Sequence, residues 1–134
     1  MATLIYLDTN IFVAGFEANA ELSDPIQTLF RALRGRLGVI VSSELTLAEL
    51  LAPVRSPLAL SVEERRELYL NVLQRSSALD LRPVTRDILI KTADLRGAGA
   101  YKLADAIHVV TALETNCAYF MSNDERLKQL PSGL

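Results

Sequence analysis

One cysteine and one histidine occur in the 134-residue chain. A lone Cys117 closes no internal disulfide, and the absence of a Cys/His cluster removes the usual ligands of zinc. No apolar run approaches the roughly 18 residues of a membrane span. The N-terminus lacks the charged region and cleavage site of a secretory signal, so the expectation is a soluble, cytoplasmic protein. Positive charge is not in excess either: 14 Lys and Arg against 16 Asp and Glu give −2. That excludes a histone-like or arm-type binder working by bulk charge. Apolar residues are plentiful, at 50% against 22% charged. Disorder is thereby excluded, and the length predicts one domain, 1–134, with a substantial core of its own.

Leu4-Ile5-Tyr6-Leu7 is a short apolar run without helical spacing, closed by Asp8-Thr9-Asn10 before a helical stretch. Val39-Ile40-Val41 before Ser42-Ser43, and Ala118 to Met121 before Ser122-Asn123-Asp124, repeat that pattern. Leu79 to Val84 is a weaker fourth strand. Between the strands the spacing is helical. One helix is predicted to begin at Asp24-Pro25, where Asp suits the N-cap and Pro the first turn, with Ile26, Leu29, Phe30 and Leu33 on one face. Ser61 and Glu64 make a capping box for another. Further helices are expected over 44–52, 85–96 and 103–115, and the prolines at 53 and 57 mark 53–60 as a loop within the domain. Short strands alternating with helices require crossover connections. The predicted class is therefore α/β, a three-layer α/β/α sandwich around a mostly parallel sheet.

In open α/β sheets ligands bind beyond the carboxyl ends of the strands. Asp8 and Asp124 each follow a strand there, although either acid also suits a helix cap, and Ser122 with Glu125 has capping-box spacing. Asp105 lies in Leu-Ala-Asp-Ala-Ile-His-Val-Val, apolar on nearly every side; the helix macrodipole favours an acid in a first turn, but a buried charge needs further partners. Glu49 has the same problem among the leucines of Leu45 to Leu51. Four carboxylates from separated parts of the chain suggest one acidic pocket, whose mutual repulsion a cation would relieve. Oxygen donors favour Mg²⁺ or Mn²⁺, and such ions activate water against phosphodiesters, which points to nucleic-acid hydrolysis.

These residues resemble the PIN domains, and among them the VapC-like toxin ribonucleases of type II toxin–antitoxin pairs. The matching pieces are Leu-Asp8-Thr-Asn10, Glu49 in Thr-Leu-Ala-Glu-Leu-Leu, Lys-Leu-Ala-Asp105-Ala-Ile-His and Phe-Met-Ser122-Asn-Asp124, in order along the whole chain. The resemblance implies a parallel sheet between helical layers and a metal-dependent endoribonuclease. By it Asp8, Glu49, Asp105 and Asp124 ligate the metal, while Asn10 and Ser122 orient carboxylates or metal-bound water. It further implies RNA as substrate, a homodimer, and an antitoxin whose C-terminal segment fills a groove leading to the acids; Phe12 and Phe16 are candidates to line that groove, and core residues otherwise. Many relatives carry an aromatic residue shortly after the last aspartate, where this chain has Glu125-Arg126-Leu127.

Setting aside the four carboxylates turns the net charge of −2 into +2, which suits RNA. Arg31, Arg34 and Arg36 form the densest basic cluster, while Lys102 and Arg126 stand beside the motifs as candidate phosphate contacts. Gly97-Ala98-Gly99 lacks the third glycine of a phosphate loop and reads as a helix stop. His108 reads as a core histidine. Asn10 occupies the position at which a haloacid-dehalogenase-like phosphatase needs a second Asp, and a receiver domain lacks its late lysine. The competing functions are a non-catalytic PIN-like module that binds protein or RNA, and a housekeeping PIN nuclease.

Overall fold

Residues 3–53 and 60–122 are described by the computed structural model. In chain order the elements are β1 (Ile5–Leu7), α1 (Thr9–Phe16), α2 (Ala20–Ala32), β2 (Ile40–Ser43), α3 (Leu45–Leu51), α4 (Val62–Arg75), β3 (Leu79–Arg82), α5 (Arg86–Ala98), α6 (Leu103–Glu114) and β4 (Tyr119–Met121). The strands form a sheet in the order β3-β2-β1-β4, and each neighbouring pair is parallel. A helix pair makes each crossover: α1 and α2 lead to β2, α3 and α4 to β3, α5 and α6 to β4.

Side-chain alternation along the strands divides the core. Leu7 and Ile40 join Phe12, Leu50, Tyr69 and Leu73 on one face, which α1 to α4 cover. Tyr6 and Val41 point the other way and join Ala112 and Cys117 beneath α6. α5 packs on α6 through Ile88, Ile107 and Val110. The expected three layers and parallel sheet are therefore present, with α6 buried without interruption from Ala106 to Ala112.

The chain moves outward from β1 to β3 and then returns to place β4 on the other side of β1. This creates a topological switch point between β1 and β4, beyond whose carboxyl end ligands of such sheets generally bind. The predicted strands lie within one or two residues of those observed, and the Ser61–Glu64 capping box is formed, with both bonds at 3.0 Å.

One expectation is corrected. The second helix begins at Ala20, capped by the Asn19 side chain, which accepts the Leu22 N–H at 3.2 Å, so that Pro25 lies inside it. The first turn is exposed, with Leu22 55% accessible. Apolar spacing consequently becomes visible only from Ile26, and the proline imitates a start. The loop expected at 53–60 lies, apart from its ends, outside the described residues.

A buried ion pair, absent from the expectations, binds the helices of the first face. Glu17, at the end of α1, is 1% exposed and receives both carboxylate bonds from Arg65 Nε at 3.0 Å, together with a hydrogen bond from the Tyr69 hydroxyl. Arg65 Nη1 donates to the carbonyls of Leu50 and Ala52, at 2.5 and 3.3 Å, fastening the end of α3 to α4. Burial and the Glu17 carboxylate push the Tyr69 phenol far up.

Candidate active site

Asp8 stands at the switch point. Its backbone N–H donates to the Met121 carbonyl at 3.2 Å, so the end of β4 holds it. Its carboxylate is divided between two tasks: Oδ1 accepts the Ile11 N–H at 3.3 Å as the N-cap of α1, and Oδ2 accepts the Ser122 hydroxyl at 2.5 Å. Capping and site membership coexist in one side chain. Burial pushes the Asp8 carboxyl up, and the charge of Asp105 adds to the rise. Ser122, His108 and the Ile11 N–H only partly offset them. Asp105, half-buried, occupies the first turn of α6. A carboxylate desolvated within reach of a second like charge makes a place that favours a cation.

Glu49 on α3 is tied to a set of neighbours that sequence reasoning passed over. Its Oε1 accepts from Thr9 Oγ1 at 2.6 Å and from His108 Nε2 at 2.9 Å. Thr9 Oγ1 lies 3.1 Å from Thr46 Oγ1 and 3.1 Å from His108 Nε2, while Thr46 Oγ1 lies 3.1 Å from Ser42 Oγ. Ser42 then donates to the Leu7 carbonyl at 2.7 Å, and the Tyr6 hydroxyl meets His108 Nδ1 at 2.6 Å. Burial pushes the Glu49 carboxyl up, but the hydrogen bonds from His108 and Thr9 outweigh it and hold the group below its ordinary range. The sequence does carry a faint signal: Thr46 precedes Glu49 by one helical turn, and His108 follows Asp105 by one. His108 is a core histidine as expected, 2% exposed, yet it belongs to the site because both ring nitrogens are engaged.

The remaining candidates separate. Asn10 is exposed on α1 and makes no side-chain hydrogen bond among the described residues. Lys102 is exposed at the N-cap of α6, three residues before Asp105. Asp124 and Arg126 lie outside the described residues. Arg31, Arg34 and Arg36 are exposed near the start of β2, at the opposite end of the sheet from Asp8. Arg31 and Arg34 there border a cavity of about 390 Å³ between α2 and α4, floored by Phe16, Phe30 and Val72. Phe16 thus reaches a cavity, whereas Phe12 is wholly buried in the core. Gly99 ends α5 in extended backbone, a helix stop as expected.

Among the described residues no group of three or more His, Cys, Asp or Glu side chains could hold a metal ion. Asp8 feels the charge of Asp105, while one oxygen of Glu49 is taken by Thr9 and His108. Mg²⁺ typically retains several waters and binds through one or two carboxylates. Two hard carboxylates beside a hydroxyl fit that pattern, and His108 has no ring nitrogen left to offer a softer metal.

A family model described as PIN domain matches residues 5–132. A chain of a toxin–antitoxin complex from Klebsiella pneumoniae shares the fold with a TM-score of 0.69 at 18% identity, over 95% of this chain and 92% of that one. A chain of VapBC2 from Rickettsia felis, crystallised bound to a DNA fragment from their promoter, gives 0.63 at 18% identity over 96% and 94%. Comparison with curated proteins finds no match. No helix among the described residues is long and apolar enough to cross a membrane.

Proposed function

The chain belongs to the PIN domain family, and from that membership we propose that it is a metal-dependent endoribonuclease acting as the toxin of a toxin–antitoxin pair. The observation that carries this reading is the buried Asp8 at the switch point of the sheet, with Ser122 fixing one of its oxygens and Asp105 in the first turn of α6. In this reading Asp8, Asp105, Glu49 and Asp124 hold Mg²⁺ or Mn²⁺. Such an ion lowers the pKa of a bound water and offsets charge on a leaving oxygen.

The chain's own residues supply position. Asp8 is held in orientation, because the Ile11 N–H and the Ser122 hydroxyl each bind one of its two oxygens. Glu49, held ionised by Thr9 and His108, keeps a full negative charge at neutral pH. Lys102 and Arg126 are proposed phosphate contacts, placed by their proximity to Asp105 and Asp124 in sequence.

The proposed partner is an antitoxin; the cavity bordered by Arg31 and Arg34 lies at the other end of the sheet from Asp8, so it is not the expected groove leading to the acids, but it suits a further stretch of that partner carrying an apolar side chain beside an acidic one. The complexes containing both structural neighbours support this pairing. A homodimer belongs to the same reading.

Asp8→Asn tests it. Asn is as good an N-cap as Asp, so α1 retains its cap while the site loses a charge. Cleavage of labelled RNA with Mn²⁺ or Mg²⁺ is expected to fall by at least a hundredfold with the melting temperature nearly unchanged, and EDTA is expected to abolish cutting by the unaltered protein. Full activity in folded Asp8→Asn protein would refute the assignment.

A further inference from the structure

The structure assigns to His108 a positioning role: with Thr9 and Tyr6 it fixes one oxygen of Glu49, so that the other stays available to the metal. The inference rests on the metal-dependent reading above. Its basis is a hydrogen-bonded network that packing alone does not require. Tyr6, Ser42, Thr46 and His108 are all 2% exposed or less. Burying hydroxyls and an imidazole is costly unless each is satisfied, and apolar residues of similar shape fill such space without that cost.

The network has a defined direction. An ionised carboxylate only accepts hydrogen bonds, so His108 Nε2, 2.9 Å from Glu49 Oε1, carries a proton. With that proton on Nε2, a neutral ring would have Nδ1 as acceptor and the buried Tyr6 hydroxyl at 2.6 Å as its donor. Tyr6 thus selects the tautomer that His108 presents to Glu49. Thr9 donates to the same Oε1 at 2.6 Å. Among the described residues both hydrogen bonds to Glu49 fall on Oε1, leaving Oε2 without a donor.

The elements joined are those that carry the acids. Tyr6 lies on β1 two residues before Asp8, His108 on α6 three residues after Asp105, and Glu49 on α3. The Tyr6–His108–Glu49 chain therefore ties together the three elements that carry the carboxylates as well as orienting one of them. Phe120, stacked on Tyr6 with centroids 5.1 Å apart, holds the phenol in place.

The first test is Mn²⁺ binding to the full chain without RNA, followed by the electron spin resonance of free Mn²⁺. His108→Ala is expected to weaken binding about 10- to 100-fold, the usual effect of removing an outer-shell partner of a ligand. His108→Gln, which retains an N–H donor, should recover part of that loss. Tyr6→Phe removes only a hydroxyl, keeps the stack on Phe120, and is expected to weaken binding several-fold; it serves as the folded variant should His108→Ala not fold. Combining His108→Ala with Glu49→Gln should add little to Glu49→Gln alone, because both act through one carboxylate.

The second test is independent of metal. The single histidine gives one pair of ring-nitrogen signals in a ¹⁵N-labelled sample, which should report the Nε2–H tautomer at mildly alkaline pH and lose that preference in Tyr6→Phe. Mn²⁺ binding unchanged in folded Tyr6→Phe and His108→Ala, or fully additive losses with Glu49→Gln, would overturn the positioning role alone. A wild-type chain that neither binds Mn²⁺ nor cuts RNA would overturn the nuclease reading, and this inference with it.

Discussion

Removing the charge of Glu17 should destabilise the protein more than any change at its surface. Arg65 is 6% exposed and Glu17 1%. In Glu17→Gln the guanidinium keeps the Leu50 and Ala52 carbonyls and the Tyr69 ring, whose centroid lies 5.1 Å away, but loses its only described countercharge. Breaking a buried pair on one side costs about 3–5 kcal/mol, because a desolvated charge is left behind. Gln preserves the shape and can still accept one bond, so about 3 kcal/mol is expected here. Domains of this kind have about 5–15 kcal/mol in total. With an unfolding entropy of about 2.1 cal/mol/K per residue, the loss lowers the melting temperature of the 134-residue chain by about 10 °C. Urea unfolding followed by far-ultraviolet circular dichroism is the assay, since the chain has no tryptophan. The midpoint should fall with little change in slope. The double change Glu17→Leu with Arg65→Met, which removes both charges, should lie nearer to wild type than Glu17→Gln. A loss below about 1 kcal/mol in Glu17→Gln, or a double variant worse than either single one, would refute this electrostatic account.

Two further outcomes follow from close packing and from the basic cavity. Gly15→Ala would place a Cβ 2.6 Å from Ile26 Cγ2 and 3.2 Å from its Cβ. Overpacking of this kind costs about 1–3 kcal/mol, more than the helix propensity that alanine regains, so thermal melting should show a net loss; an unchanged or raised midpoint would contradict it. Arg34→Glu reverses charge at the cavity far from Asp8, and should weaken antitoxin capture at least tenfold in a binding titration while RNA cleavage stays within twofold. Cleavage lost with capture intact would instead place Arg34 on the RNA path.

The elements that could be read from the sequence are those whose signal is local. Strands closed by polar residues, the Ser61–Glu64 box and the largely apolar α6 each announce themselves within a dozen residues. The start of α2 was hidden because an exposed first turn has no apolar face to display. Asp8 and Ser122 were legible because position after a strand is itself a signal, and the fold brings them into contact although 114 residues separate them. The Tyr6–His108 bond spans 102 residues and the Glu17–Arg65 pair 48. Nothing about tyrosine in a strand or glutamate after a helix indicates such a partner, because either is equally suited to water until the fold removes it.

The arrangement of the acids follows from how a short parallel sheet ends. Where β1 stops, its backbone groups run out of ladder partners and must be satisfied otherwise. The Leu7 carbonyl takes the Ser42 hydroxyl, the Asp8 N–H takes the Met121 carbonyl, and the Ile11 N–H takes Asp8 Oδ1. At the end of β2, Ser43 Oγ accepts the Leu45 N–H at 3.0 Å and the Glu44 N–H donates to the Arg82 carbonyl at 2.8 Å. Ser42 and Ser43 are fully buried at positions where a sheet interior would otherwise take valine or isoleucine. Ser42 extends this satisfaction to Thr46, Thr46 to Thr9, and Thr9 to Glu49. A layer of hydroxyls therefore lies between the apolar core and the carboxylates. It allows the acids to be desolvated without meeting hydrocarbon directly, and fixes their geometry through bonds that the sheet end needed in any case. Placing the same acids at the amino ends of the strands would leave them beside the cavity of Arg31 and Arg34. There they would be neutralised as surface ion pairs and would have no call on a metal.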